Sequence, residues 1–147
     1  MDLSFSYIDL LNKRIQDFCL EGKNQKEISD FFQIEENDES YELQKVFVDE
    51  THLYWKNIRI DFKDNFVLRI KFFLQPSTTS NLILPDLFKA KKILLHEFLL
   101  ELNQQKITWS IDELSKFNED YLIIKIRDIQ VYFYLKDGKA IEMVCSL

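Results

Sequence analysis

The chain has 147 residues and a mass of 17.8 kDa, which is the usual size of one domain. Hydrophobic residues make up 46% of the sequence, and thirteen Phe, six Tyr and two Trp can supply a packed core, which excludes a disordered chain. Because Gly22 and Gly138 are the only glycines, a glycine-rich phosphate-binding loop and a dinucleotide-binding fingerprint are also excluded.

The net charge of −6 is concentrated in one segment, residues 35–50, and the rest of the chain is formally neutral. Binding to nucleic acid depends on Lys and Arg that neutralise phosphates, and the chain has no excess of them. We therefore expect a basic protein as the partner, with no nucleic acid and no membrane; the alternative is a solvated acidic loop. The segment contains Lys45 and seven acids: Glu35, Glu36, Asp38, Glu39, Glu42, Asp49 and Glu50.

No targeting segment is visible in the sequence. The N-terminal residues contain no basic region followed by an uninterrupted apolar stretch, so we expect no signal peptide. The most apolar region, residues 83–102, is interrupted by charged side chains and is not expected to span a bilayer. Cys19 and Cys145 are too few for a disulfide framework. We therefore expect a cytoplasmic protein in which Cys145 is a buried hydrophobic residue.

Three helices are predicted from apolar residues that recur at three- and four-residue steps. In the first, Gly22 is placed to end the helix. In the second, Asn24 lies three residues before Glu27, which is the spacing of a capping box. The third is the longest, and its wide apolar face predicts burial against a sheet. The predicted helices span residues 6–20, 25–33 and 86–103.

Two pairs of runs in which apolar and polar residues alternate predict antiparallel hairpins with one buried face. The first pair is joined by Asp64 and Asn65, which tolerate the left-handed backbone of tight turns. The second pair is joined by a turn at residues 136–139. The fold class is therefore predicted to be α+β. The predicted strands span residues 54–62, 66–74, 122–127, 129–135 and 141–147, with a weaker candidate at 41–48.

The order of polar, apolar and turn residues in 57–73 recurs in 128–146. Each hairpin also follows a predicted helix and a more polar strand. The sequence therefore predicts a single domain made of two helix-plus-antiparallel-hairpin units, with the long third helix packed on the sheet. The alternative is that two unrelated hairpins share this pattern. The predicted units are residues 24–75 and 86–147, joined by a linker at 76–82.

No catalytic motif is present in the sequence. The serines lie in no strand-to-helix elbow of the kind that hydrolases use, and His52 and His96 are isolated from each other. Asp49, Glu50 and His52 share one polar turn, but two carboxylates and one imidazole in a turn are a weak signal for a metal. We therefore predict no enzyme, no catalytic residue, no metal and no cofactor.

Three aromatic residues are further candidates for a surface that binds a partner. If the even-numbered residues of the first hairpin face the core, Trp55 lies on the opposite face beside Arg59 and Arg69. Tyr132 and Tyr134 lie on the polar face of the second hairpin. Aromatic and Arg side chains are enriched at protein–protein hot spots. The alternative is that a helix covers this face and that these residues belong to the core.

A small, acidic, glycine-poor α+β chain with helices followed by hairpins resembles the immunity proteins of bacterial polymorphic-toxin systems. The resemblance covers the size, charge and plan of the whole chain and includes no diagnostic motif, so no functional residue is carried over. It implies a protein that binds a co-produced toxin domain and blocks its active site or substrate path. If that toxin is basic, the acidic segment 35–50 is the expected contact.

Two other functions stay open at this point. A secretion chaperone would hold an unfolded effector segment along its sheet and would usually form a dimer. A small ligand-binding domain or hydrolase would gather His52 or His96 with carboxylates in a polar pocket. The sequence does not indicate the oligomeric state.

Overall fold

The computed structural model describes residues 3–75, 82–89 and 93–147; the predicted linker, apart from Leu82, and three residues of the third predicted helix lie outside them. In the described residues the fold is α+β, as predicted. The helices are α1 (Tyr7–Leu11), α2 (Gln25–Phe32), α3 (Asp86–Lys89) and α4 (Leu95–Gln104), with a 3₁₀ segment at Glu113–Phe117. The strands are β1 (Arg14–Ile15), β2 (Phe18–Cys19), β3 (Glu42–Lys45), β4 (Glu50–Trp55), β5 (Ile58–Lys63), β6 (Phe66–Phe73), β7 (Ser110–Ile111), β8 (Tyr121–Ile126), β9 (Ile129–Tyr134) and β10 (Ala140–Ser146).

Eight of the described strands form one antiparallel sheet, in the order β3-β4-β5-β6-β10-β9-β8-β7. The sheet consists of two four-stranded meanders that meet at their last strands. At this central contact, Ile70 of β6 lies opposite Cys145 of β10, and Phe72 lies opposite Met143. As a result, β3 and β7 are the two outer strands of the sheet.

One face of the sheet forms the core together with the helices. Buried residues of α1, α2 and α4 pack with alternate residues of β4, β5, β6, β8, β9 and β10. Cys145 lies in this core, as expected, and its burial raises the pKa of the thiol to about 12. The largest side chains without exposed surface include Phe32, Phe72, Phe98 and Phe133.

The first predicted helix is wrong beyond Leu11. Lys13 and Gln16 have left-handed backbones (φ 56° and 55°), through which a right-handed helix cannot continue. The chain turns there into the small β1–β2 hairpin. Ile15 is still fully buried, so its spacing identified a core position without identifying the local structure. Gly22, predicted to end this helix, has a positive φ (77°) in the turn that precedes α2.

The third predicted helix is interrupted before α4. Leu94 has an extended backbone (φ −89°, ψ 155°). Leu95 N donates to Gly138 O at 2.8 Å, and Ala140 N donates to Ile93 O at 2.9 Å. Residues 93–95 are thus paired with the chain at the start of β10, and a backbone paired in this way cannot continue a helix from α3 into α4.

The second predicted helix and the first predicted turn are confirmed. Asn24 Oδ1 accepts from Glu27 N at 2.9 Å, and Glu27 Oε1 accepts from Asn24 N at 3.2 Å, which completes the predicted capping box of α2. Asp64 and Asn65 form the turn between β5 and β6 with positive φ values of 50° and 69°. The strand predicted over residues 54–62 is instead divided into β4 and β5 by a turn at Lys56, whose φ is 51°.

The start of α2 contacts the sheet in the same way as the start of α4. Val67 N donates to Lys23 O at 2.9 Å, and Gln25 N donates to Asn65 O at 3.1 Å. Each helix therefore begins with two backbone hydrogen bonds to the last strand of its own meander or to the turn before it. The two helices also bury the same two positions, since none of the following has exposed surface: Ile28 and Phe32 in α2, and Phe98 and Leu102 in α4.

Candidate functional site

The β3–β4 hairpin carries one exposed part of the acidic segment. All residues from 42 to 49 are exposed. The turn is closed by hydrogen bonds from Val46 N and Phe47 N to Glu50 O, at 3.0 and 3.2 Å. The turn is apolar, and we call it the apolar tip: Val46, Phe47 and Val48 are 41%, 64% and 94% exposed.

The acids that precede β3 are positioned by a turn at residues 38–40. Asp38 Oδ1 accepts from Ser40 Oγ at 2.6 Å and from Ser40 N at 2.9 Å, and these bonds hold the pKa of Asp38 below its ordinary value. Ser40 Oγ also accepts from Lys56 N at 2.8 Å. The loop is therefore bonded to the turn between β4 and β5. This bond helps to fix the position of the exposed acids of the loop, which are Glu35, Glu36 and Glu39.

The structure separates the predicted acidic contact residues into two groups. Asp38 is half-buried in the turn just described, and Glu50 is half-buried beside cations of the sheet. These two carboxylates bond to other groups of the protein itself: Asp38 to Ser40, and Glu50 to His52 and Arg69. The others are exposed on the loop and the hairpin, as a contact surface requires: Glu35, Glu36, Glu39, Glu42 and Asp49.

A buried ion-pair network lies on the polar face of the sheet, across β4, β5 and β6. Asp61 has no exposed surface and accepts two hydrogen bonds from Arg59, from Nε at 2.8 Å and from Nη2 at 2.9 Å. Arg69 Nε lies 3.1 Å from Asp61 Oδ2, and His52 Nε2 lies 3.5 Å from Asp61 Oδ1. A buried carboxylate is strongly unfavourable without partners, and the two guanidinium groups supply them.

Glu50 extends this network toward the β3–β4 hairpin. Its Oε2 lies 3.1 Å from His52 Nε2, and its Oε1 lies 3.8 Å from Arg69 Nη2. Burial acts to lower the pKa of Arg59, but the hydrogen bond and charge of Asp61 outweigh it and hold the pKa above its ordinary value. Two carboxylates thus face two permanently charged arginines. We therefore infer that the network stabilises the pairing of β4, β5 and β6.

The residues of this network do not form a metal-binding constellation. Within the part of the chain that the structure describes, no group of three or more His, Cys, Asp or Glu is placed to hold a metal ion. The turn with Asp49, Glu50 and His52, which the sequence offered as a weak metal candidate, therefore lacks the converging ligands that a metal requires.

Trp55 is not on the polar face, and its predicted exposure is wrong. Only 2% of its surface is exposed, and its ring belongs to the core cluster. Trp55 pairs with Ile58 across the turn at Lys56, so the core-facing residues are odd-numbered in β4 and even-numbered in β5. Reading residues 54–62 as one strand placed Tyr54 and Trp55 of β4 on the wrong faces. Lys56 Nζ lies 4.5 Å from the centre of the indole ring.

Tyr132 and Tyr134 lie on the polar face, in the half of the sheet opposite the apolar tip. Their ring centroids are 6.2 and 5.2 Å from that of Tyr121. Tyr134 is exposed, whereas Tyr132 is half-buried and its burial raises its pKa. Tyr121 and Tyr134 line a pocket of about 420 Å³ together with Phe73 and Glu142. The same pocket is lined by Lys56, whose N donates to Ser40 Oγ of the acidic loop, whereas the apolar tip lies at the other end of β4.

The sequence pattern did not identify the apolar tip as a contact surface. The sequence favoured a strand over residues 41–48, which includes Val46, Phe47 and Val48. In the structure the strand ends at Lys45, and these three residues form the turn that follows it. One signal was available, because three consecutive apolar residues break the alternation of a half-buried strand, and such a run on a surface is typical of a functional contact.

No known protein family, curated protein or solved structure matches this chain. In the described ranges, no helix combines the length and the apolar character needed to cross a membrane. The geometry of the chain's own residues is therefore the basis for a functional proposal.

Proposed function

We propose that this protein is an inhibitor of the immunity type, which binds a basic bacterial toxin domain through the β3–β4 hairpin and has no catalytic activity of its own. One observation carries the proposal: the outer hairpin of the sheet ends in an exposed apolar tip next to Asp49, and the exposed carboxylates of the loop before β3 lie at the other end of the same hairpin. Apolar side chains that become buried supply most of the binding energy of an interface, and charges around them select the partner.

The tip and the carboxylates are expected to act on different steps of binding. Phe47 and Val48 are exposed by 64% and 94%, so their burial against a partner removes apolar surface from water and slows dissociation. The carboxylates on the loop and hairpin attract a basic surface before contact and speed association, an effect that salt weakens. The loop turn at Asp38 and Ser40 limits the ordering required on binding.

We further propose that the scaffold is an internal duplication whose halves are related by a twofold axis between β6 and β10. Three observations support this: the matching hydrogen bonds at the starts of α2 and α4, the matching buried positions in these helices, and the register at the centre of the sheet. Two pairs lie across that centre, Ile70 with Cys145 and Phe72 with Met143. The axis carries Ile70 to the position of Met143 and Phe72 to the position of Cys145, so it turns each pair into the other, as a twofold axis requires.

The proposed function is tested with the protein domain encoded immediately upstream in the native genome, produced as an isolated C-terminal domain. We expect this domain to stop growth of its host and co-expression of the present chain to restore it. Charge reversal of Glu35, Glu36 and Glu39 to Lys should slow association about tenfold at low salt and weaken its salt dependence. Asp38 is left unchanged in this variant because its carboxylate holds the turn.

The matched control reverses three exposed acids elsewhere, Asp17, Glu119 and Asp120, which changes the net charge by the same amount. Its association rate should fall much less, because these residues lie outside the acidic segment. A separate Phe47→Ser variant should raise the dissociation rate and leave the association rate nearly unchanged. Equal association rates in the wild type and the Glu35, Glu36 and Glu39 variant would exclude the acidic contact.

A secretion chaperone is the second candidate function, because β3 is an outer strand whose four residues are all exposed. Such an edge can add an extended peptide as a further strand. The two functions differ in the state of the partner that is bound. An immunity-type protein binds the folded domain, whereas a chaperone binds a synthetic peptide from the partner at least as tightly as the folded domain.

A further inference from the structure

An aromatic pocket is lined by residues of β6, β8, β9 and β10 and of the turn between β4 and β5. Glu142 of β10 lies opposite Phe73 of β6 on one side and opposite Tyr132 of β9 on the other, and Tyr121 of β8 lies opposite Tyr134 of β9. We call this cavity of about 420 Å³ the tyrosine pocket; its lining includes Phe73, Tyr121, Tyr134 and Glu142. The pairing of the strands thus places aromatic rings beside a carboxylate.

The walls of the tyrosine pocket are held in place by contacts within the chain. Asn57 is buried at its edge, and Asn57 Nδ2 donates to Phe73 O at 3.2 Å and to Ile83 O at 2.7 Å. The rings of Tyr121 and Tyr134 have centroids 5.2 Å apart. Tyr134 is 40% exposed, so the pocket opens to the surface. Because these groups are already positioned, a ligand binds with little further ordering.

The electrostatics of the tyrosine pocket favour a cation. The hydrogen bond and charge of Tyr134 raise the pKa of the Tyr121 phenol, and the charge of Glu142 raises it further. Burial raises the pKa of Tyr132, and the charge of Glu142 again adds to this effect. A carboxylate that opposes the ionisation of two phenols attracts a positive group to the same place.

Lys71 already places one cation beside the pocket. Its Nζ lies 5.9 Å from the centre of the Phe73 ring and 3.4 Å from Glu142 Oε2. An aromatic face and a carboxylate together therefore attract a positive charge here. A carboxylate has about four acceptor positions, so Glu142 can accept hydrogen bonds from a second cation.

Lys56 connects the pocket with the acidic loop. Its Nζ lies 4.5 Å from the centre of the Trp55 ring, and its N donates to Ser40 Oγ at 2.8 Å. Hydrogen bonds from Ser40 lower the pKa of Asp38, and the charge of Lys56 lowers it further. The positive charge of Lys56 is thus shared with a carboxylate of the loop. The tyrosine pocket adjoins the loop, so a basic partner bound to the loop can reach it.

We propose that the tyrosine pocket binds the side chain of an arginine on the basic partner, an inference that rests on the proposed function. A guanidinium group is planar, so it stacks on an aromatic face and also donates paired hydrogen bonds to a carboxylate. Tyr134, the exposed ring, is the stacking surface, and Glu142 accepts the hydrogen bonds. The ammonium group of a lysine is compact and cannot make both contacts in this way.

Titration of the isolated full chain, followed through its backbone amide NMR signals, tests the chemistry of the pocket. The probe is N-acetyl-arginine amide, and the matched probe is N-acetyl-citrulline amide, which has nearly the same shape and no charge. We expect the arginine probe to shift the amides of Phe73, Tyr134 and Glu142 with a dissociation constant of about 10 mM. The citrulline probe should bind at least about tenfold more weakly. Equal binding of the two probes, or no shift at these amides, overturns the proposal.

Variants of opposite expected effect locate the binding groups. Glu142→Gln should weaken binding of the arginine probe about tenfold, and Tyr134→Leu about threefold. Lys71→Met removes the competing cation and should strengthen binding about threefold, whereas a pocket for anions would bind its ligand more weakly. Glu113→Gln, at an exposed carboxylate that does not line the pocket, is the control and should change nothing. Unchanged binding in Glu142→Gln or weaker binding in Lys71→Met contradicts the proposal.

The source of the arginine is tested with the domain encoded upstream. Tyr134→Leu should raise the dissociation rate of its complex with this chain about threefold and leave the association rate nearly unchanged. An unchanged dissociation rate places the pocket outside the interface and overturns the assignment to the partner. A domain that does not bind at all overturns the proposed function and with it the source of the arginine. The titration of the isolated chain needs no partner, so it decides the chemistry of the pocket separately.

Discussion

Asp61 shows how one residue can determine the local stability of the sheet. Its carboxylate has no exposed surface and lies between Arg59 and Arg69. Asp61→Asn keeps the shape and removes the charge, so it leaves the two arginines without their shared counter-ion. We expect the free energy of unfolding to fall by about 3 kcal/mol, the lower end of the range for a broken buried ion pair, since Arg69 is partly exposed.

Urea unfolding at pH 7 measures this effect. The control is Asp17→Asn, the same change at an exposed aspartate, for which we expect a change within about 0.5 kcal/mol. If Asp61→Asn lowers the free energy of unfolding no more than Asp17→Asn does, the ion pairs of Asp61 with the two arginines do not stabilise the sheet.

Cys145 determines a second, pH-dependent contribution to stability. Burial raises the pKa of this thiol to about 12, above its ordinary value of 9.0. The folded state therefore keeps a proton that the unfolded thiol loses, and the stabilisation is complete below pH 9 and is lost as the pH rises from 9 to 12. In this window the thiol lowers the free energy of unfolding by about 1.4 kcal/mol for each pH unit.

Urea unfolding at several pH values between 7 and 11 checks this expectation. Cys145→Ala should show a smaller decrease with pH than the wild type, whereas Cys19→Ala, at the exposed cysteine, should match the wild type. Burial also raises the pKa of Tyr7. Above pH 10 this lowers the free energy of unfolding further, by the same amount in the wild type and in both cysteine variants. Equal slopes for the two cysteine variants would contradict the contribution of the buried thiol.

At the scale of elements, local signals predicted the structure where a side chain bonds to its own segment. The capping box of Asn24 and Glu27 involves atoms three residues apart, so its spacing in the sequence was sufficient to place the start of α2. The turn at Asp64 and Asn65 was predicted for the same reason, since these residue types favour the left-handed backbone that the turn needs.

Other elements depend on contacts that the sequence does not display. Helical spacing in residues 6–20 marked buried positions, but Lys13 and Gln16 adopt left-handed conformations in the hairpin and end the helix early. The break before α4 comes from pairing of Ile93 and Leu95 with the distant start of β10. The same limit applies to the candidate site. The alternation in residues 54–62 predicted Trp55 on the exposed face, but the turn at Lys56 places it in the core.

At the scale of the whole molecule, the two meanders share one core, since residues of α1, α2 and α4 and of both halves of the sheet belong to a single buried cluster. We therefore expect both halves to unfold together. Native-state hydrogen exchange should give equal opening free energies for the buried amides of β5 and β6 and of β9 and β10, because these strands lie at equal distances from the centre of the sheet.

Amides of β3 should exchange fastest among the longer strands, because this outer strand is exposed at all four residues. The internal comparison is between Ile60 and Val131, two fully buried residues on equivalent strands of the two meanders. Their opening free energies should agree within about 0.5 kcal/mol and equal that of global unfolding. A value for Val131 that lies well below the value for Ile60 would show that the second meander opens by itself, which one shared core does not permit.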